Sequence, residues 1–461
     1  MTTPKTVIRG AHVISIDPQI GEIAGGDVLI EGRHIAAVGR SIEAADAQVV
    51  DASAMIALPG FVDTHRHTWQ ALIRNIASDW TLAQYFAGVR GVLGRTFRPQ
   101  DNYAGTLVGV LESLDSGITT LLDWSHNMNT PEHADETIRA HQESGSRVVL
   151  AYGNANDEWL PVSSIPHSRD CVRLRAQYFN SDDQLITLAM ALRGPQFATM
   201  DVTEHDWKLA REIGARISVH VGDGLWGLDK PLVQLDQRGL LGSDTTYVHC
   251  NSLHDDDLRL MADSGGSASV APELEMHMGH GDVATGRLLA HGIRPSLSID
   301  VVTSIGGDMF GAMRACLAAE LALQNKRALD ARRVLDPLPL MTSDALEFAT
   351  IEGARACGLA DKVGSLTPGK EADLILIDTD QLNLMPMNNA RGGVVMSAHP
   401  GNVDSVWVAG RRVKQDGRLV GVDLAALRRT VEDSRDHVFA AAGAAIGGDW
   451  LPRPYDGTPA A

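Results

Sequence analysis

The stretch Asp63-Thr64-His65-Arg66-His67 sets two imidazoles two residues apart, a spacing that sends both to the same side of an extended chain. Farther along, His220, His249 and Asp300 each stand at or directly after a short apolar run. One histidine in such a position is ordinarily a hydrogen-bonded structural group, and His-x-His alone is a weak signal. With 17 histidines in 461 residues, their recurrence at the ends of separate apolar runs, joined by an aspartate, points to a shared cation. Imidazole and carboxylate donors suit Zn²⁺, Fe²⁺, Co²⁺ or Mn²⁺, with zinc the first expectation. A cation held this way lowers the pKa of bound water to about 7 and so makes hydroxide available in neutral solution. The chemistry to expect is hydrolysis.

Groups so distant in sequence meet only if the runs that carry them converge. Apolar runs at 55–61, 118–124, 147–152, 185–192, 216–221, 245–249, 268–271 and 294–299 alternate with longer helical patterns, as βα units around a buried parallel sheet do. Eight such units, none followed by a glycine-rich phosphate loop, predict an α/β fold of the TIM-type (β/α)8 barrel kind rather than an open doubly wound sheet. Chemistry in such barrels collects at the carboxyl ends of the strands, where all five groups fall. Short alternating segments between residues 6 and 57 return at 372–377, 403–408 and 411–413, so both termini are expected to build one small β-sandwich. The expected division is 1–57 and 366–423 for that domain, 58–365 for the barrel, and 424–461 for a final helix over 424–442 with a Gly/Pro-rich tail, the candidate partner contact.

Composition bounds the partners. Hydrophobic residues at 44% and charged residues at 21% describe a globular chain, not a disordered or coiled-coil one. Forty basic against 58 acidic residues give a net charge of −18, the wrong sign for sequence-independent nucleic-acid binding. Cys171, Cys250, Cys316 and Cys357 lie far apart and are expected as reduced, buried thiols rather than a disulfide framework or a thiolate metal site. No apolar leader begins the chain and no run of eighteen apolar residues interrupts it, so a cytoplasmic protein that does not enter membranes is expected.

The stretch Leu58-Pro59-Gly60-Phe61-Val62-Asp63-Thr64-His65-Arg66-His67, with His220, His249, Asp300 and the later Leu366-Thr367-Pro368-Gly369-Lys370-Glu371-Ala372-Asp373-Leu374, resembles the amidohydrolase superfamily. It is most similar to the branch of cytosine and guanine deaminases and triazine hydrolases, and the resemblance spans nearly the whole chain. It implies a distorted barrel with a sandwich from both termini. It also implies a single metal ion on His65, His67, His220 and Asp300, since the run at 185–192 has no lysine or glutamate to bridge a second ion. His249 is then expected beside the reacting water and Gln70 at a substrate-contacting position. The implied reaction is deamination of an aminated N-heterocycle. Hydrolysis of an amide, urea or carbamate is the alternative, and an inactive binding protein, which would be expected to lack some ligand, the outside one. A homodimer or larger homo-oligomer is implied as well.

Two features set this chain apart. Related deaminases carry glutamate three residues after the strand-five histidine, where it moves protons; here Asp223 is one methylene shorter and needs a closer substrate or an intervening water. An aspartate between two glycines also suits a turn cap. The segment 271–281 departs from the asparagine-containing loop common in those relatives, so their substrates do not transfer. In this scheme Asp300 is the base, His249 holds the charge growing on the substrate, and Asp223 or Asp300 returns a proton to the departing amine. A small substrate is expected against Gln70, Trp124, Arg193 and Glu273, on a rim that also includes Trp69, His126, Asn127, Tyr152 and Trp226. Arg193 either grips a substrate carboxylate or carbonyl, or pairs with a nearby acidic side chain.

Overall fold

The computed structural model describes residues 4–156 and 162–446; the tail from 447 to 461 lies outside them. Five strands come first: β1 (Lys5–Ile14), β2 (Glu22–Glu31), β3 (His34–Gly39), β4 (Gln48–Asp51) and β5 (Met55–Pro59). The next eight are β6 (Phe61–Arg66), β7 (Ile118–Ser125), β8 (Arg147–Tyr152), β9 (Ile186–Leu192), β10 (Arg216–Val221), β11 (Thr245–His249), β12 (Ser267–Val270) and β13 (Ser296–Leu297). Four more follow: β14 (Leu374–Asp378), β15 (Val403–Val408), β16 (Arg411–Gln415) and β17 (Arg418–Leu419). The first five and last four form one mixed nine-stranded sheet, with β14 from the carboxyl-terminal half pairing antiparallel to β5.

Strands β6 to β13 pair in sequence order and always in parallel, which is the barrel. Every residue of β7 and β8 is buried, so both faces had to be apolar and the runs read as continuous rather than alternating. Each fully buried aliphatic side chain in them contributes about 1.5–3 kcal/mol. The barrel interior also holds a small polar cluster, in which Thr64 Oγ1 meets Ser269 Oγ at 2.7 Å and Ser296 Oγ at 2.9 Å.

The first barrel strand differs from the expectation. The run at 55–61 is divided, since Met55–Pro59 belongs to the terminal sheet and only Phe61–Arg66 enters the barrel. A division after residue 57 would fall inside β5, whose Leu58 and Pro59 pair with Ile375 and Leu374. Both strands are buried, so apolar character runs unbroken through the junction. The turning point is Gly60, where a Cβ would stand 2.1 Å from Thr119 Oγ1. The last strand is also shorter than its run. Beyond Leu297 the chain closes the barrel through single bonds to β6: Ile299 N–H to Asp63 Oδ1 at 3.1 Å, Asp300 N–H to the His65 carbonyl at 2.8 Å, and His67 N–H to the Asp300 carbonyl at 2.9 Å.

Arg147, at the start of β8, ties the barrel to the terminal sheet. Its guanidinium donates to Asp373 at 2.8 and 3.0 Å and also to Glu371, and all three side chains are buried. The final helix, Leu424–Ile446, lies on helix Pro99–Asp115 and on residues 93–96, burying Val438 and Ala442. All four cysteines are free and buried. Among the described residues no helix is long and apolar enough to cross a membrane.

Candidate metal centre

The carboxyl ends of the barrel strands bring His65, His67, His220, His249 and Asp300 together. The ligating atoms of His65, His220 and His249 lie within 4.8 Å of one another, as do those of His65, His67 and Asp300. Asp300 Oδ1 stands 3.4 Å from His65 Nε2 and 3.3 Å from His67 Nε2, and its Oδ2 stands 3.7 Å from His249 Nε2. Two donors about 2.1 Å from a tetrahedral ion are separated by about 3.4 Å, so these spacings are those of atoms sharing a cation. Both ring nitrogens of His65 and Nδ1 of His220 are buried without a hydrogen-bond partner among the described residues. The donor set therefore fits a divalent metal ion.

Local structure aims each group. His67 Nδ1 donates to the Trp124 carbonyl at 2.7 Å, which leaves Nε2 as the nitrogen free to hold a metal. His249 and Asp300 adopt left-handed backbone conformations, with φ of 80° and 66°. Such positions cost non-glycine residues about 1–3 kcal/mol each and cluster at functional sites. Asp300 is held there by its two backbone bonds to β6, so the strain is offset by barrel closure.

Electrostatics match ligation. Burial pushes His65 down to about 3 and holds His220 well below the ordinary histidine range, so both remain neutral, the form that binds metal. Burial alone would raise the Asp300 carboxyl, but the imidazoles of His65 and His67 close against it prevail and keep it well below the usual carboxylate range. His249 moves oppositely: burial lowers it, yet its hydrogen bond to Glu275 and the charges of Asp300 and Asp223 bring it to about 9. Burial raises the Asp223 carboxyl. Gln196 braces Asp223 by donating to Oδ1 at 2.5 Å while accepting from Gly222 N–H at 2.6 Å.

Above the imidazoles opens a small cavity. His67, His220, His249, Asp300 and Asp223 form its floor with His126, Arg90 and His280, and Leu82, Tyr85, Phe86, Phe197, Leu274, Met278 and Val301 complete the wall. Of the side chains expected to touch substrate, Gln70 stands back from this wall and donates to Tyr85 OH at 2.7 Å, bracing a residue that does line it. The Trp124 ring is buried behind the ligands, 4.4 Å from His220. Arg193 differs most from expectation. Its buried guanidinium donates to Ser163 Oγ at 2.6 Å and to the Ile165 carbonyl and lies 3.6 Å from Asp206, so the paired alternative holds and the group points away from the cavity. Glu273 is half-buried beside Gly311, outside the cavity wall.

From the wider rim, His126 lines the cavity and accepts from Trp69 Nε1 at 3.1 Å, whereas Asn127 is bound to Asn102 at 2.7 Å. Trp226 packs on Phe86 and Phe197 at the mouth. Sequence reasoning passed over Tyr85, Phe86 and Arg90, which come from the irregular segment between β6 and helix Pro99–Asp115 and carry no periodic signal. It also passed over Glu275, whose carboxylate accepts from His249 Nδ1 at 3.2 Å, Asn251 Nδ2 at 3.1 Å and Ala271 N–H at 2.8 Å.

Comparison with known proteins agrees with this architecture. Residues 56–413 match the model of the amidohydrolase family. The 5-methylthioadenosine/S-adenosylhomocysteine deaminase of Symbiobacterium thermophilum is 30% identical over 427 residues, 89% of this chain and 94% of that protein. The 5'-deoxyadenosine deaminase of Methanothermobacter thermautotrophicus is 29% identical over 431 residues, 91% of this chain and 95% of its own length. Among solved structures, an adenosine deaminase from Xanthomonas campestris with bound zinc superposes with a TM-score of 0.83 at 24% identity, covering 95% of this chain and 100% of that one. The atrazine chlorohydrolase of Arthrobacter aurescens complexed with zinc gives 0.82 at 23% identity, covering 93% and 100%.

Proposed function

The chain belongs to the amidohydrolase family and acts on carbon–nitrogen bonds of a small molecule, and from that premise we propose that it deaminates an aminated N-heterocycle, an adenine nucleoside being the first candidate. The observation that supports this reading is the convergence of two triads that share His65, His65–His67–Asp300 and His65–His220–His249, beneath a cavity that Asp223 also faces. One divalent ion, zinc in the first instance, fits His65, His67, His220 and Asp300. When bound it supplies a water acidified toward neutral pH as the nucleophile.

The side chains do the rest. Asp300, ionised and held 3.4 Å from His65 Nε2 and 3.3 Å from His67 Nε2, takes the proton released as the water attacks the amino-bearing carbon. His249, its Nδ1 fixed by Glu275, turns Nε2 to the reacting atoms and holds the charge that grows on the adjacent ring nitrogen. Asp223, kept more basic than an ordinary carboxylate by burial and aimed by Gln196, carries a proton to the departing amine. Water and amine go in; the oxo product and ammonia come out.

Ammonia release from adenosine, 5'-deoxyadenosine, 5'-methylthioadenosine, adenine, guanine, cytosine and amino-triazines tests the reading. Stoichiometric ammonia with the matching oxo product is expected from at least one. Amine release from amides, ureas or carbamates, with none from the heterocycles, would move the function to the alternative.

A further inference from the structure

Buried structural imidazoles in this chain have partners: His141 Nε2 meets Asp123 Oδ2 at 2.8 Å, His133 Nε2 the Phe97 carbonyl at 3.0 Å, and His167 Nε2 the Tyr152 carbonyl at 3.1 Å. His280 breaks that pattern. It is only 2% exposed, and neither Nδ1 nor Nε2 has a hydrogen-bond partner among the described residues. Both nitrogens of His65 share this state, and His65 belongs to the metal centre. A buried polar ring left unmatched is destabilising, so such a group calls for an explanation.

The fold invests in holding His280 where it is. Helix Pro272–Met278 stops at Gly279 (φ 75°), and Gly281 takes φ 125°, a conformation that side chains rarely adopt, so the chain doubles sharply around the histidine. Its N–H donates to the Glu275 carbonyl at 2.9 Å, and its own carbonyl accepts from Gly224 N–H at 2.8 Å, next to Asp223. Three residues back, His277 is exposed on the outer side. The His280 ring lines the cavity and stands edge-on to His249, with centroids 4.7 Å apart and planes at 86°.

We infer that His280 is a substrate-binding, specificity-determining residue, hydrogen-bonding a ring nitrogen or ring N–H of the heterocycle on the side shared by His249 and Asp223. A neutral imidazole offers one donor and one acceptor, so it discriminates between rings by what they present at that edge and not by bulk. The inference rests on the reading of this cavity as the site of C–N hydrolysis. It adds an anchor that neither holds metal nor moves a proton.

The test uses the metal-loaded full chain, its His280→Leu variant, and His280→Asn and His280→Gln, which each keep an amide donor and acceptor near one ring nitrogen. All four are assayed on the aminated heterocycles above and on acetamide, urea and simple carbamates, with metal content and thermal midpoint read in parallel. His280→Leu should raise KM by about 5- to 150-fold on whichever class the parent turns over, with metal content unchanged and kcat moved less. Either His280→Asn or His280→Gln should recover part of the loss. Unchanged KM in His280→Leu, or a loss that tracks metal content or thermal midpoint, overturns the inference while leaving the deaminase reading intact. Turnover of amides alone overturns the deaminase reading, and KM in His280→Leu then judges the residue on that class. Turnover of neither class overturns both.

Discussion

Glu275→Gln isolates the group that orients His249. The buried carboxylate faces three donors: Oε1 accepts from His249 Nδ1 and Ala271 N–H, and Oε2 accepts from Asn251 Nδ2. A carboxylate satisfies all three because it is acceptor-only, whereas glutamine has one oxygen and one NH₂. With its oxygen toward His249, glutamine sets NH₂ against the Asn251 NH₂. Asn251 cannot flip freely, because that same Nδ2 also donates to the Asp282 carbonyl at 3.1 Å. With the amide turned round, NH₂ meets both the imidazole and Ala271. Losing a charge-assisted bond costs about 1.5–3 kcal/mol. If that loss falls on the transition state, kcat should drop about 10- to 150-fold at nearly unchanged KM, since each 1.36 kcal/mol is tenfold in rate. Steady-state kinetics of the metal-loaded variant, with metal content and thermal midpoint measured on the same sample, reads this directly. A normal kcat would refute the orienting role, and so would a loss explained entirely by missing metal.

Other perturbations separate chemistry from architecture. Asp223→Asn should lower kcat by about 10²- to 10⁴-fold with metal retained, the loss expected for a proton carrier; near-normal turnover would return this residue to a turn cap. Arg147→Met should destabilise the protein by about 3–5 kcal/mol in denaturant titration, because it strands Asp373 as a buried carboxylate without a cation and leaves Glu371 only its bond from Arg33. The same variant should keep normal specific activity per folded molecule, since Arg147 lies at the opposite end of β8 from the cavity, and an unshifted midpoint would show that the pairing carries little.

The histidines and the aspartate of the candidate metal centre were legible because their positions follow from short-range rules. Alternation puts His65 and His67 on one side of β6, and apolar runs of strand length end at His220 and His249, so convergence follows once those runs close into a barrel. The junction at Pro59-Gly60 was not legible, because both strands it separates are buried and apolar and only tertiary pairing tells them apart. Arg193 was read correctly as a strand-end residue, but the end of a strand does not fix where a long side chain goes. Ser163, Ile165 and Asp206, all remote in sequence, draw it into the body of the protein. Glu275 sits on the seven-residue helix Pro272–Met278, and His280 and Arg90 on short turns beyond regular elements, whose paths depend on packing. Only the Gly279-His280-Gly281 triplet hinted that a histidine was being held in an unusual place.

The proposed chemistry depends on a divalent cation coordinated by imidazole nitrogen and carboxylate oxygen, and X-ray absorption at the metal edge of the purified protein tests that most directly. It predicts a first shell of nitrogen and oxygen at about 2.0–2.2 Å with imidazole scattering beyond it. A shell containing sulfur at about 2.3 Å, or an active protein with no metal to absorb, would contradict it.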